Sequence, residues 1–187
     1  DWKYASPDFN ISSGDKRYVV EATTANHSQG KTAEWEGLAT FDELREMRFK
    51  ERNRESIIRL SNAFVSKARL YREKYSNLEH VKKKPFIIAI APFEQPNFNL
   101  QYNRPITALL YDYYVDEDAY LDDKDAYPNG PPGISLGFVE KENGAELELG
   151  FFLDDAFREV SAVIFSCTAT WGKVEAMTQR ADADRYF

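Results

Sequence analysis

Pro7-Asp8-Phe9-Asn10-Ile11-Ser12-Ser13-Gly14-Asp15-Lys16-Arg17-Tyr18-Val19-Val20-Glu21-Ala22-Thr23-Thr24 is the stretch on which the fold turns. Residues 8–12 read as a short extended segment and Ser13-Gly14-Asp15 as a turn. Residues 17–24 are rich in β-branched and aromatic side chains and read as the neighbouring strand, so the pair predicts a hairpin. Side chains alternate along a strand, which puts Val19, Glu21 and Thr23 on one face. A carboxylate between Val19, Val20 and Ala22 is costly to bury alone; it needs a metal, a cation or an exposed rim. Taken by itself, an acidic pair on a hairpin is more often an ordinary surface feature.

Working outward, residues 26–31 form a polar loop, and Thr40 and Glu43 have capping-box spacing for a helix start. The strongest helix is expected over residues 54–75, where Ile57, Leu60, Phe64, Ala68, Tyr71 and Tyr75 recur at steps of three and four. Lys82-Lys83-Lys84-Pro85 stops it. Residues 86–93 follow as a continuous apolar strand, suited to a central position covered on both sides. The second half reads as a loop over 92–105, a short helix over 106–114 and an acidic, turn-rich stretch over 116–132. A hairpin of residues 134–140 and 146–152 turns about Asn143-Gly144. A short helical piece over 154–160 then leads to a buried strand over 161–168. The sum is an α/β (α+β) fold with a mixed sheet: one domain over 1–187, a core in 1–93, and a C-terminal hairpin and strand extension in 94–187.

The composition is globular, with 43% hydrophobic and 14% aromatic residues among 187, well away from chains too polar to offset their own entropy. The longest apolar run, residues 86–91, falls far short of a membrane span, and nothing resembles a signal peptide. The single cysteine, Cys167, excludes an internal disulfide and a cysteine-built zinc site, and its setting is that of a small core hydrophobe. These features lead us to expect a cytoplasmic protein without a membrane partner. The net charge of −7 conceals a division: residues 45–84 hold 13 Lys/Arg against 5 Asp/Glu, and residues 112–159 hold 3 against 14. Such asymmetry can present a basic face to a polyanion, although a solvated helix of mixed charge would look the same.

Hydrolysis of a phosphodiester needs a nucleophilic water and neutralised phosphate charge, and Mg²⁺ held by hard oxygen ligands can supply both. Pro7-Asp8, a turn, and then Glu21-Ala22-Thr23 after an apolar approach resemble the PD-(D/E)xK motif of restriction-endonuclease-like nucleases. The resemblance implies that Asp8 and Glu21 are metal ligands, that the Ala22 carbonyl adds a third, and that Mg²⁺ or Mn²⁺ is the cofactor. Thr23 stands where the family has its catalytic lysine. Lys67-x-x-x-Tyr71 on the long helix is the candidate replacement, since some members carry Gln-x-x-x-Tyr or a migrated lysine there. With Phe64 at the centre of the apolar face, Lys67 lies about 60° and Tyr71 about 20° to one side, at about 100° per residue. A snorkelling lysine is the plain alternative.

Thr23, Tyr71, Glu34 and Glu36 are possible auxiliaries. Arg59, Arg69, Lys74, Lys82, Lys83 and Lys84 are the expected phosphate contacts, with DNA as the partner and a homodimer left open. The likeness spans residues 8–93 in the order hairpin, helix, strand. The family's preceding helix and strand are not seen, and the chain opens on Asp rather than Met, so the expectation is either that part of the domain lies outside these residues or that the topology differs. A catalytically inactive nucleic-acid-binding or regulatory module on the same fold is the alternative, favoured by Thr23 and by the acidic second half.

Competing motifs are weaker. Ala25-Asn26-His27-Ser28-Gln29-Gly30-Lys31-Thr32 fits a permissive phosphate-loop pattern, but the later apolar strands do not end in the Asp that such a site needs. His27 and His80 have no ligand or triad spacing. Trp171 and Lys173 after the last strand could line a cleft, but read better as a turn closed by Gly172.

Overall fold

A computed structural model describes residues 6–25, 48–93, 98–169 and 172. Strands β1 (Phe9–Ser13) and β2 (Lys16–Thr24) form the expected antiparallel hairpin, in register from Phe9 opposite Val20 to Ser13 opposite Lys16. The two-residue connection places Gly14 at φ 58°, a left-handed conformation that glycine adopts without steric cost. The chain then crosses through helix α1 (Phe49–Leu70) and a wider π-helical turn (Tyr71–Tyr75) to strand β3 (Phe86–Ala91), parallel to β2.

After β3 come a 3₁₀ turn (Phe98–Leu100) and helix α2 (Arg104–Tyr111). Small pieces follow: β4 (Tyr114–Val115), helix α3 (Glu117–Asp122), β5 (Gly133–Ile134), β6 (Phe138–Glu140) and β7 (Glu146–Glu148). The last strand, β8 (Val160–Phe165), returns to the main sheet parallel to β3, giving the order β1-β2-β3-β8. The mixed sheet and mixed α+β class agree with the sequence. Among the described residues no helix is long and apolar enough to cross a membrane.

Helix α1 covers one face of the sheet. Its Ile57, Leu60, Phe64 and Ala68 are buried with Val19, Phe86, Ile88 and Ile90 beneath them. Phe64 also meets Phe157 and Phe151 from the second half, with ring centroids 5.0 and 5.3 Å away. Two buried polar residues of the helix are answered: Asn53 donates to the Tyr114 hydroxyl at 3.0 Å and Ser56 to Gln101 Oε1 at 2.6 Å, whereas the buried Arg52 Nη1 meets no acceptor among the described residues. Strand β3 is covered fully on one side only; Phe86, Ile88 and Ile90 are buried, while Ile87, Ala89 and Ala91 keep intermediate exposure.

Several boundaries differ from expectation for local reasons. The long helix starts at Phe49 rather than 54 and, through the π-helical turn, ends at Tyr75 as expected; it starts early because its first amides find an acceptor far away in sequence. Asp118 accepts from Phe49 N–H at 3.0 Å and Lys50 N–H at 2.8 Å. The acidic stretch 116–132 contains α3, capped by Asp116, which accepts from Ala119 N–H at 3.1 Å. The second hairpin is shorter than 134–140 and 146–152. Gly150 turns at φ 83°, and the amides of Gly150, Phe151 and Phe152 bond the Leu109 and Leu110 carbonyls at the end of α2 instead of a partner strand. Residues 154–159 form turns rather than a helix. Cys167 is buried and free, as its apolar setting suggested.

Candidate functional site

Asp8 lies just before β1, beyond the last ladder pair, so the sheet does not position it. Reciprocal hydrogen bonds do. Asp8 N–H donates to Glu21 Oε2 at 3.3 Å, and Ala22 N–H donates to Asp8 Oδ2 at 2.8 Å. The register explains why Ala22 is available. Val19 N–H donates to the Pro85 carbonyl and Ala25 N–H to the Ala91 carbonyl, so odd-numbered residues of β2 turn their backbone groups toward β3. The even-numbered ones face β1, which begins only at Phe9 opposite Val20. The backbone of Ala22 therefore faces Asp8 rather than a strand, and its carbonyl is directed to the same side.

Glu21 is 3% exposed and sits on the face that α1 covers. Lys67 reaches it from α1, with Nζ 2.8 Å from Glu21 Oε1. Glu21 from β2 and Lys67 from α1 thus meet, and Asp8, just ahead of β1, touches Glu21 through its backbone N–H. Two carboxylates and a carbonyl are hard oxygen donors, the kind that Mg²⁺ or Mn²⁺ takes while keeping several waters. Three of the carboxylate oxygens already have partners here: Glu21 Oε1 meets Lys67 Nζ, Glu21 Oε2 accepts from Asp8 N–H, and Asp8 Oδ2 accepts from Ala22 N–H. Among the described residues no group of three or more His, Cys, Asp or Glu side chains is gathered to hold a metal.

The structure disposes the auxiliary residues differently. Tyr71 stacks on Phe86 with ring centroids 4.3 Å apart, and burial, followed by the nearby Glu159 charge, pushes its hydroxyl pKa up. Tyr71 thereby packs the base of β3. Thr23 is half-buried, and its hydroxyl donates to the neighbouring Thr24 carbonyl at 3.4 Å. Glu34 and Glu36 lie outside the described residues, as do the 26–32 phosphate-loop pattern, the Thr40–Glu43 spacing and Trp171.

Sequence reading missed Tyr75, which it had counted only as part of an apolar face. Tyr75 is 8% exposed. Burial pushes its hydroxyl pKa up, opposed by a hydrogen bond with the Ser6 side chain, and the charges of Glu21, Lys67 and Asp8 all act on it. His80 Nε2 bonds the Ser6 carbonyl at 2.6 Å. Tyr75 and His80 together hold the chain two residues before Asp8. The residue types give no hint of this, because the His80 acceptor is a backbone carbonyl.

The basic block is less open than its charge suggested. Arg48 pairs with Asp122 at 2.9 Å, Lys50 with Asp116 at 3.8 Å, and Arg72 with Glu159 at 2.5 Å. Part of the excess positive charge therefore answers the acidic second half within the molecule. Of the expected phosphate contacts, Lys82 pairs with Glu79 at 2.8 Å, and Lys84 Nζ lies 3.4 Å from Asn10 Oδ1 beside β1. Arg69, Lys74 and Lys83 are exposed. Arg59 stands in a cleft of about 610 Å³ that also contains Lys67 and Thr23.

Compared with protein-family models, curated protein sequences and solved structures, the chain has no match.

Proposed function

We propose that the chain is a Mg²⁺- or Mn²⁺-dependent nuclease acting on DNA, built on the PD-(D/E)xK plan with its lysine carried by α1 instead of β2. The observation that carries this reading is the meeting of Asp8, Glu21 and Lys67, with Lys67 Nζ 2.8 Å from Glu21 Oε1 and Asp8 braced against Ala22 N–H at 2.8 Å. When bound, the divalent ion supplies an activated water and neutralises phosphate charge. Asp8, Glu21 and the Ala22 carbonyl would hold it. Lys67 offers an ammonium beside that position, able to orient the attacking water or to stabilise charge on the phosphate. Its position substitutes for the cation that Thr23 cannot provide. Arg59 and the exposed lysines and arginines around the site meet the sugar-phosphate backbone, which makes binding steeply salt-dependent. This reading takes the cytoplasm as the setting.

A catalytically inactive nucleic-acid-binding or regulatory module is the second reading, and one observation favours it. Lys67 already neutralises a buried Glu21, which is also how a purely structural ion pair looks. Cleavage of supercoiled plasmid in Mg²⁺ or Mn²⁺ separates the two. Under the nuclease reading, wild type nicks and linearises the plasmid, and Glu21→Ala and Lys67→Ala do not. Equal inertness of wild type and Glu21→Ala across both metals would leave only the binding module.

A further inference from the structure

Beside the carboxylate pair lies a cleft of about 610 Å³ between α1 and the tip of the β6–β7 hairpin, opening at the C-terminal end of β2. We infer that this cleft is the seat of a single strand of nucleic acid, so that the preferred substrate is single-stranded or carries an unpaired end. The inference rests on the nuclease reading for its chemistry, since Lys67 lines the cleft and also touches Glu21.

Size argues first. A cavity of this volume encloses a ligand of drug-like size, comparable with a nucleotide or two, whereas a duplex docks against a surface. Burial argues the same way. Glu21 is 3% exposed beneath α1, and a flexible single strand can thread toward such a carboxylate more readily than a stiff double helix.

The lining supplies the matching chemistry. With Lys67 paired to Glu21, the lining sets Arg54, Arg59 and Lys141 against Glu55 and Glu142, a balance of one positive charge. Asn62, Ser66, Thr23 and Thr24 add neutral polar groups, and Ile58 and Ala63 give an apolar patch for a base. Sequence-tolerant single-strand sites pair a positive groove with aromatic stacking surfaces; here Ile58 and Ala63 offer the apolar contact and the lining has no aromatic ring among the described residues.

The walls are fixed in place. Arg54 Nη1 donates to the Glu140 carbonyl at 3.1 Å, tying the helix to β6. The hairpin tip is closed on itself by Lys141 N–H to the Ala145 carbonyl at 2.8 Å and Gly144 N–H to the Lys141 carbonyl at 2.9 Å. Lys141 is thus presented from a preformed turn.

The test is fluorescence anisotropy of the full chain in EDTA with a labelled single-stranded DNA oligonucleotide and its duplex, over a salt series. Wild type should bind the single strand more tightly. Lys141→Glu should weaken that binding about tenfold and flatten its salt dependence, while duplex binding changes little. Asn62→Trp, which fills the cleft from an exposed position on α1, should do the same without removing a charge.

Equal affinity for the two forms would overturn the inference. So would single-strand binding left unchanged by both variants while thermal melting shows them folded. Cleavage separates this outcome from the fate of the nuclease reading. Single-strand binding in the cleft with no metal-dependent cleavage removes the enzyme and keeps the cleft. Rapid duplex cleavage indifferent to Asn62→Trp keeps the enzyme and removes the cleft.

Discussion

Glu21 is a carboxylate with 3% of its surface exposed, and a buried charge must be answered by partners. Lys67 is the cation that answers it, at 2.8 Å and with 23% of its own side chain exposed. Removing one member of a buried pair leaves the other uncompensated, while the lysine's partial exposure softens the loss. Lys67→Ala is therefore expected to destabilise by about 1–3 kcal/mol, measured by urea unfolding. Glu21→Gln combined with Lys67→Met should recover part of it, since neither charge is then stranded. The brace on Asp8 gives a second expectation. Tyr75→Phe removes the hydroxyl that meets Ser6, so exchange of the Ala22 amide should quicken about fivefold by NMR, the effect of about one lost hydrogen bond. Amides deep in α1 should keep their protection, and a general loss of protection would show that Tyr75 supports the fold instead. At this scale the faces of Glu21 and Lys67 were legible, because period-2 and period-3.6 spacing place side chains on faces, while Asp8, ahead of β1, came only from the motif resemblance. Tyr75 and His80 were not, because their partner Ser6 sits outside any periodic element.

Helix α1 shows what periodicity can and cannot tell about an element. Its buried positions, Ile57, Leu60, Phe64 and Ala68, follow the 3.6-residue repeat and were readable in advance. Its beginning was not readable, because the acceptor for the Phe49 and Lys50 amides is Asp118, 69 and 68 residues on. A carboxylate at a helix N-terminus satisfies orphan amides and meets the positive end of the helix dipole. Asp118→Ala is expected to destabilise by about 1–2 kcal/mol and to expose the first turn to rapid amide exchange. Unchanged exchange at Phe49 and Lys50 would mean that water replaces the carboxylate without loss. The second hairpin forms but stops short of its expected length for a related reason. The alternation of Glu146, Leu147, Glu148 and Leu149 suits a strand, yet the Gly150 turn and the α2 carbonyls claim the next three amides.

Across the whole molecule, the division into a motif-bearing core over 1–93 and an extension over 94–187 is bridged at many points. Strand β8 completes the main sheet, Phe151 and Phe157 pack on Phe64, Asp118 caps α1, and Tyr114 receives the Asn53 amide. Tyr114 is 1% exposed, and burial, only partly offset by the Asn53 hydrogen bond, pushes its hydroxyl pKa from 10.0 up to about 12. The sign of the pH effect follows from linkage. The fold favours the neutral phenol, so this contribution is complete below about pH 10 and is lost as pH rises from there through about 12. A shift of that size corresponds to about 3 kcal/mol at most. Tyr71 and Tyr75, also raised, add losses in the same direction. Urea midpoints should therefore hold steady up to pH 10 and fall through pH 11 and 12. Tyr114→Phe should start lower, by about 1 kcal/mol for the unanswered Asn53 amide, but decline less steeply over the same range. Because Tyr114 joins the second half to α1, loss of the sheet and loss of the 98–169 packing should occur in one transition at every pH. Two separate transitions would show that the contacts across residue 93 do not couple the halves.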